Sequence, residues 1–202
     1  MENSVISSIR NEIARKEKGT VFLSKDLSAL GSTDAVKKAL SRLCSAGLVT
    51  RLGRGLYYVP KKDDIFGFGV LLPSTDQIAH ALADSEGISI IPTTDFAMNA
   101  LNLTTQMQTN SVYLTDGCRR HIALEGYKGN GITFIHSSNK RLFKIQNRWM
   151  LLIILSMIGI GENNINEAQL HLIKSHLVNI SLQDYLQDIK LAPLWIQKKL
   201  VS

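Results

Sequence analysis

The chain has 202 residues, enough for one medium domain or two small ones, and its 45% apolar and 20% charged content is that of a folded protein with a core. Cys44 and Cys118 are the only cysteines, with no CxxC spacing and no histidine at ligand spacing, which argues against a metal site or disulfide framework; no cofactor is expected. The net charge of +6 is concentrated: residues 1–62 hold 12 Lys and Arg against 5 Asp and Glu, and the remainder holds 11 against 12.

Residues 1–15 contain no apolar run, so no signal peptide is expected. Val5, Ile6, Ile9 and Ile13 recur at helical spacing and predict a first helix over 4–16, with Asn3 or Ser4 as cap and Gly19 past its end. Residues 20–23 suit a short strand. Ser24 offers an N-cap to a helix of under two turns over 25–30, stopped by Gly31. Ser32 caps the next helix, with Asp34 in its first turn and Val36, Leu40, Leu43 and Cys44 forming one apolar face up to Gly47. Two strands follow, 48–52 and 56–59, joined by Gly53-Arg54-Gly55 and closed by Pro60; alternation places one of Tyr57 and Tyr58 in the core and the other outside. Helix, strand, helix, turn, helix and hairpin is the order of a winged helix-turn-helix, predicted over 1–62.

Residues 61–72 are charged and then glycine-interrupted, so 63–72 is expected to be a linker. From 73 to 202 the pattern is a mixed α+β domain with C-terminal helices. Helix 76–85, strand 88–91 and helix 93–102 come first, the last with Phe96, Ala97, Ala100 and Leu101 on one side. Strands 111–115, 121–124 and 132–136 follow, with turns at Asp116-Gly117 and Gly129-Asn130-Gly131. Helix 148–158 is apolar all round and therefore buried; the apolar stretch 150–160 is shorter than the ~20 residues that span a bilayer, so a cytoplasmic protein without a membrane partner is expected. Helix 166–178 carries Leu170, Ile173 and Leu177. Helix 181–190 carries Leu182, Tyr185, Leu186 and Ile189, with Ser181 and Asp184 in a capping arrangement. A last helix after Pro193 carries Trp195, Ile196 and Leu200.

If Val36, Leu40, Leu43 and Cys44 face the core, Thr33, Asp34, Lys37, Lys38 and Ser41 face outward at the end of the helix that meets base edges in such folds. Lys37, Lys38 and Ser41 suit phosphates or base acceptors, Arg42 points to backbone from the edge of the face, and Ser32 with its helix-start amides suits a phosphate. Arg51 and Arg54 flank Gly53 at the wing tip with nothing bulky beside Arg54, a geometry that lets guanidinium groups reach a minor groove or its phosphates. A solvated helix face and a glycine hairpin with incidental arginines are the competing readings. The concentrated charge favours double-stranded DNA over an anionic membrane, because no helix pairs a basic face with a bulky aromatic one.

Catalytic signals are thin. His80, His121, His136, His171 and His176 are scattered, and His171 and His176, five apart on one helix, are about 140° around it. Asp116-Gly117-Cys118-Arg119-Arg120 suggests an activated thiol, but no base accompanies it and a turn with an incidental cysteine accounts for it as well. Gly67-Phe68-Gly69 is no phosphate loop. Arg119, Arg120, Lys140, Arg141, Lys144 and Arg148 form a second basic surface or a solvated one. No enzyme is expected; a nuclease with a DNA-binding lobe is the enzymatic alternative, and clustered carboxylates at metal spacing are missing.

The run from Asp34 to Leu43, with Gly47-Leu48-Val49 and Arg51-Leu52-Gly53-Arg54-Gly55-Leu56-Tyr57, resembles the N-terminal winged helix of AbiEi-type antitoxins. Val112-Tyr113-Leu114-Thr115-Asp116-Gly117 is similar to a strand and turn of their second domain. The resemblance covers most of the chain and is strongest over 20–60. It implies an antitoxin of an abortive-infection or type IV toxin–antitoxin pair. Such a protein represses its own operon through the winged helix and counters a nucleotidyltransferase-like toxin, with Lys37, Lys38, Arg51 and Arg54 as operator contacts. The alternative is a winged-helix transcriptional regulator whose second domain senses a ligand or mediates oligomerisation.

Overall fold

The structure, a computed structural model, describes residues 2–63, 69–106, 111–127, 129 and 131–201. Helix α1 (Glu2–Arg15) buries Ile9 and Ile13 on one side, as their spacing requires. After β1 (Val21–Leu23) the chain tightens into a 3-10 helix, Ser24–Leu30. Ser24 is the first residue of that helix and not its N-cap: its amide donates to the Gly55 carbonyl at 2.8 Å, and Asp26 reaches back to accept the Leu23 amide at 2.8 Å.

Helix α2 (Thr33–Ser45) begins where Ser32 Oγ accepts the Ala35 amide at 3.3 Å. Val36, Ala39, Leu40 and Leu43 are buried and Cys44 is half-buried. Gly47 adopts φ +68° just past the end, where its amide bonds Cys44 O and the Leu48 amide bonds Leu43 O. That 6→1 and 5→2 pairing satisfies the last carbonyls and holds Leu48 out of the strand expected to start there. β2 (Thr50–Gly53) and β3 (Leu56–Tyr58) complete an antiparallel sheet of order β1-β3-β2, with a bulge between Arg51 and Gly53.

Tyr57 and Tyr58 are both buried, at 8% and 0% exposure, against the expectation of one inside and one outside. Being central, β3 points Tyr57 at the α1–α2 core, stacked with Phe22 at 5.9 Å. The sheet has a second cover. Helix α3 (Thr75–Glu86), started by a reciprocal Ser74–Gln77 capping box, packs on β1, and Lys25 and Asp26 bond Ser85 at 2.7 Å each. The expected linker is also structured at its ends: β4 (Lys61–Asp63) pairs antiparallel with β5 (Gly69–Leu71). Residues 64–68, with Gly67 and Phe68, lie outside the described residues.

The chain forms two compact units, Met1–Ile88 with His121–Ile132, and Ser89–Arg120 with Thr133–Ser202. In the first unit α3 packs on β1, and the returning segment 121–132 belongs with the N-terminal elements.

Farther along, β6 (Ile90–Pro92), α4 (Thr94–Ala100), β7 (Ser111–Thr115), β8 (Arg120–Ile122) and β9 (Ile132–His136) follow, with a four-stranded sheet of order β6-β7-β9-β8. Since β9 separates β7 from β8, Asp116-Gly117 is not a tight hairpin; Asp116 Oδ1 instead accepts the Ser89 amide at 2.7 Å. Asn130 of the other expected turn lies outside the described residues.

Helix α5 (Arg148–Ile160) is the axis of the second core: Met150 and Leu152 through Met157 are buried, and α4 packs along it. Asp188, fully buried, accepts the amides of Gln146 (3.2 Å) and Asn147 (2.8 Å) just before α5. A helical tail surrounds it: α6 (Glu167–Ser175), a 3-10 turn at His176–Asn179, α7 (Leu182–Asp188), a second at Ile189–Leu191, and α8 (Leu194–Val201). The chain is thus mixed α+β with a C-terminal helical tail.

Three details depart from the sequence pattern. Phe96 is exposed while Ala97 and Leu101 are buried, and Leu182 and Leu186 are 73% and 51% exposed while Ile189 is buried, because periodicity marks an apolar stripe but not which part of it meets a neighbour. Ser181 accepts the Asp184 amide at 3.1 Å, but the Asp184 carboxylate turns to Asn147 Nδ2 and leaves the capping box half made. Among the described residues no helix is long and apolar enough to cross a membrane.

Candidate nucleic-acid interface

Each side chain that sequence singled out (Ser32, Thr33, Lys37, Lys38, Ser41, Arg42, Arg51 and Arg54) is exposed on the first unit. On α2 they divide into two rows. At 100° per residue, Thr33, Lys37 and Ser41 fall within an arc of about 80°. Lys38 and Arg42 lie on the other edge, their stems lining a shallow groove with Val5 and Ile6 of α1 and Ala35 and Ala39 of α2.

Asp34 tempers the helix start. Its carboxylate is 4.0 Å from Lys37 Nζ, with both groups largely in water, so the pair contributes at most about 1 kcal/mol. It also sets a negative charge beside the amides expected to receive a phosphate at Ser32, whose hydroxyl is itself engaged in capping. The first unit therefore offers Lys37, Ser41 and Thr33 more openly than it offers the Ser32 end.

The hairpin differs more from its sequence reading. Arg54 stands exposed at the tip, as expected. Gly53 beside it is buried, and a Cβ there would sit 2.8 Å from the Ala123 carbonyl oxygen, so only glycine admits the segment that crosses it. That segment is anchored just after the crossing: the Glu125 amide donates to Leu52 O at 2.7 Å, and Tyr127 Oη donates to Pro73 O at 2.6 Å. Burial, with Tyr58 nearby, pushes the Tyr127 phenol up to about 12. Arg51 is not open. Its Nε donates to Gly53 O at 3.1 Å and lies 3.5 Å from Glu125 Oε1.

Both charges are felt by their neighbours. Burial raises the Cys44 thiol and the Tyr57 phenol above their ordinary values; the Arg51 cation opposes that rise and the Glu125 carboxylate adds to it. Glu125 is the residue that sequence reasoning missed. It is one acid in an undistinguished turn, 74 positions from the arginine it meets, and nothing local signals the pairing.

In the second unit Arg120 lies over the Phe134 ring at 5.0 Å, which takes it out of the expected basic surface; Arg119, Lys140, Arg141, Lys144 and Arg148 remain exposed. Cys118 is exposed, His136 Nδ1 is 2.8 Å from Gly117 O, and His176 stacks on Trp149 at 5.5 Å. Among the described residues no three His, Cys, Asp or Glu are placed to hold a metal ion.

A family model described as a family of unknown function, DUF6088, matches residues 8–184. The chain belongs to this family. No curated protein matches it. The DUF6088 match takes in α2, the β2–β3 hairpin and the segment that crosses Gly53, so the whole candidate interface lies within the family's extent, whereas α8 lies past it.

Proposed function

We propose that the N-terminal elements are a winged helix-turn-helix that binds double-stranded DNA, with α2 as recognition helix and the β2–β3 hairpin as wing. The observation that carries this reading is the exposure of Lys37, Lys38, Ser41, Arg42 and Arg54 on one helix and one hairpin tip, in the part of the chain that holds all the excess positive charge. Lys37 and Ser41 then meet base edges or phosphates in a major groove, and Arg54 enters the neighbouring minor groove. The role we propose is that of an AbiEi-type antitoxin, which represses its own operon and counters a nucleotidyltransferase-like toxin through its second unit. No enzymatic step is part of this role, and no cofactor is needed.

The test has two arms. A labelled duplex from the chain's own upstream region is titrated with the protein at about 0.1 M salt, and the neighbouring gene is expressed with and without this chain. Nanomolar binding to the upstream duplex together with rescue from a toxic neighbour is the expected result. Binding without rescue selects the alternative, a regulator whose second unit senses a ligand or mediates oligomerisation. Failure to bind duplex DNA at low salt would remove both.

A further inference from the structure

Segment 121–132 leaves the second unit's sequence neighbourhood and packs with the first, 33 residues after Ile88 ends that unit's main run. It touches the hairpin at three successive residues of β2. Glu125 Oε1 faces Arg51 Nε at 3.5 Å, the Glu125 amide bonds Leu52 O at 2.7 Å, and Ala123 O presses on Gly53. The backbone bond and the close approach at Gly53 fix where the carboxylate falls. The Tyr127–Pro73 bond then pins the following turn.

From this geometry we infer that Glu125 is a built-in competitor for the phosphate at Arg51, a residue that lowers the affinity of the hairpin for DNA. The inference rests on the DNA-binding reading above. A carboxylate offers a guanidinium the same forked pair of acceptor oxygens as a phosphate. In the free protein Arg51 is engaged by its own Gly53 carbonyl and by Glu125. A DNA phosphate at Arg51 must displace that carboxylate or be held beside a second negative charge. Either event weakens binding, and the weakening is greatest for non-specific duplex, whose affinity is almost wholly electrostatic. Arg54, at the exposed tip, is outside this competition and remains the first contact.

The pair is half in water, side chains 51% and 59% exposed, so its effect is modest. Glu125→Gln keeps the side-chain size and the amide bond to Leu52 while removing the charge. We expect it to tighten binding to a random-sequence duplex by about two- to fivefold at 0.1 M salt, and to steepen the dependence of log K on log salt by about one ion. Arg51→Ala should weaken binding, and the Arg51→Ala/Glu125→Gln double variant should lose the gain, since the carboxylate then has no arginine to withhold. Equal melting temperatures for the single variants and the wild type separate this from a structural effect, and Glu125→Asp, one methylene shorter, should fall between.

Wild type and Glu125→Gln binding with the same affinity and salt slope overturns the inference and leaves the DNA-binding reading standing. A gain from Glu125→Gln that persists without Arg51 also overturns it, because the effect is then general charge. If neither protein binds any duplex, the DNA-binding reading falls and the inference with it. Binding by Glu125→Gln alone supports the inference in its strongest form.

Discussion

Replacing Arg54 with alanine removes a side chain that no described residue holds. Arg54 is exposed at the hairpin tip and makes no hydrogen bond or ion pair with any described residue. A surface truncation of this kind changes stability by no more than about 0.5 kcal/mol, so thermal melts of variant and wild type should superimpose. If Arg54 neutralises one phosphate, its loss removes about 0.9 of a released counterion from the slope of log K against log salt. Across a fourfold salt range, 0.9 of an ion narrows the gap between wild type and variant about three- to fourfold, and at 0.1 M the contact contributes roughly eightfold in affinity. A base-edge contact in the groove behaves differently: its loss costs about 1–3 kcal/mol on the preferred sequence and little on a scrambled one. Fluorescence anisotropy with upstream and scrambled duplexes, titrated between about 0.05 and 0.3 M salt, reads both quantities. Unchanged affinity and slope on both duplexes would refute the placement of the hairpin tip against DNA.

Asp188→Ala should destabilise the second unit by about 2–4 kcal/mol, because it leaves the amides of Gln146 and Asn147 without the acceptor they share in a fully buried site; chemical denaturation followed by Trp149 and Trp195 fluorescence measures it. Stability should also fall in strong alkali. The Tyr127 phenol, raised to about 12, stays protonated in the folded chain while an unfolded tyrosine ionises near 10, so its contribution is intact below about pH 10 and lost as pH rises to about 12. Ultraviolet titration should show a late-ionising phenol that Tyr127→Phe removes; an unchanged titration curve contradicts the assignment.

Much of the first unit could be read without coordinates. The Val36, Leu40 and Leu43 spacing, the Ser32 cap and the αL position at Gly47 act within one or two helical turns, so α2 and its exposed face follow from residues a few positions apart. The exposure of Lys37, Ser41 and Arg54 follows by subtraction once the buried face is known. The hairpin turn was legible for the same reason, since Gly55 takes φ +72° at the turn itself, whereas the need for glycine at 53 comes from Ala123, 70 positions away.

Tertiary structure decided the rest. Tyr58 is buried because α3 and the chain near Tyr127 cover a sheet face that alternation assigns to solvent, and β4 and β5 pair where composition suggests a linker. Most consequential is Arg51, which sequence presents as an open contact and the fold sets against Glu125. Local patterning carries capping and amphipathicity because those forces act between near neighbours in the chain. Pairing across 74 positions depends on where the backbone returns, and only the packed structure fixes that.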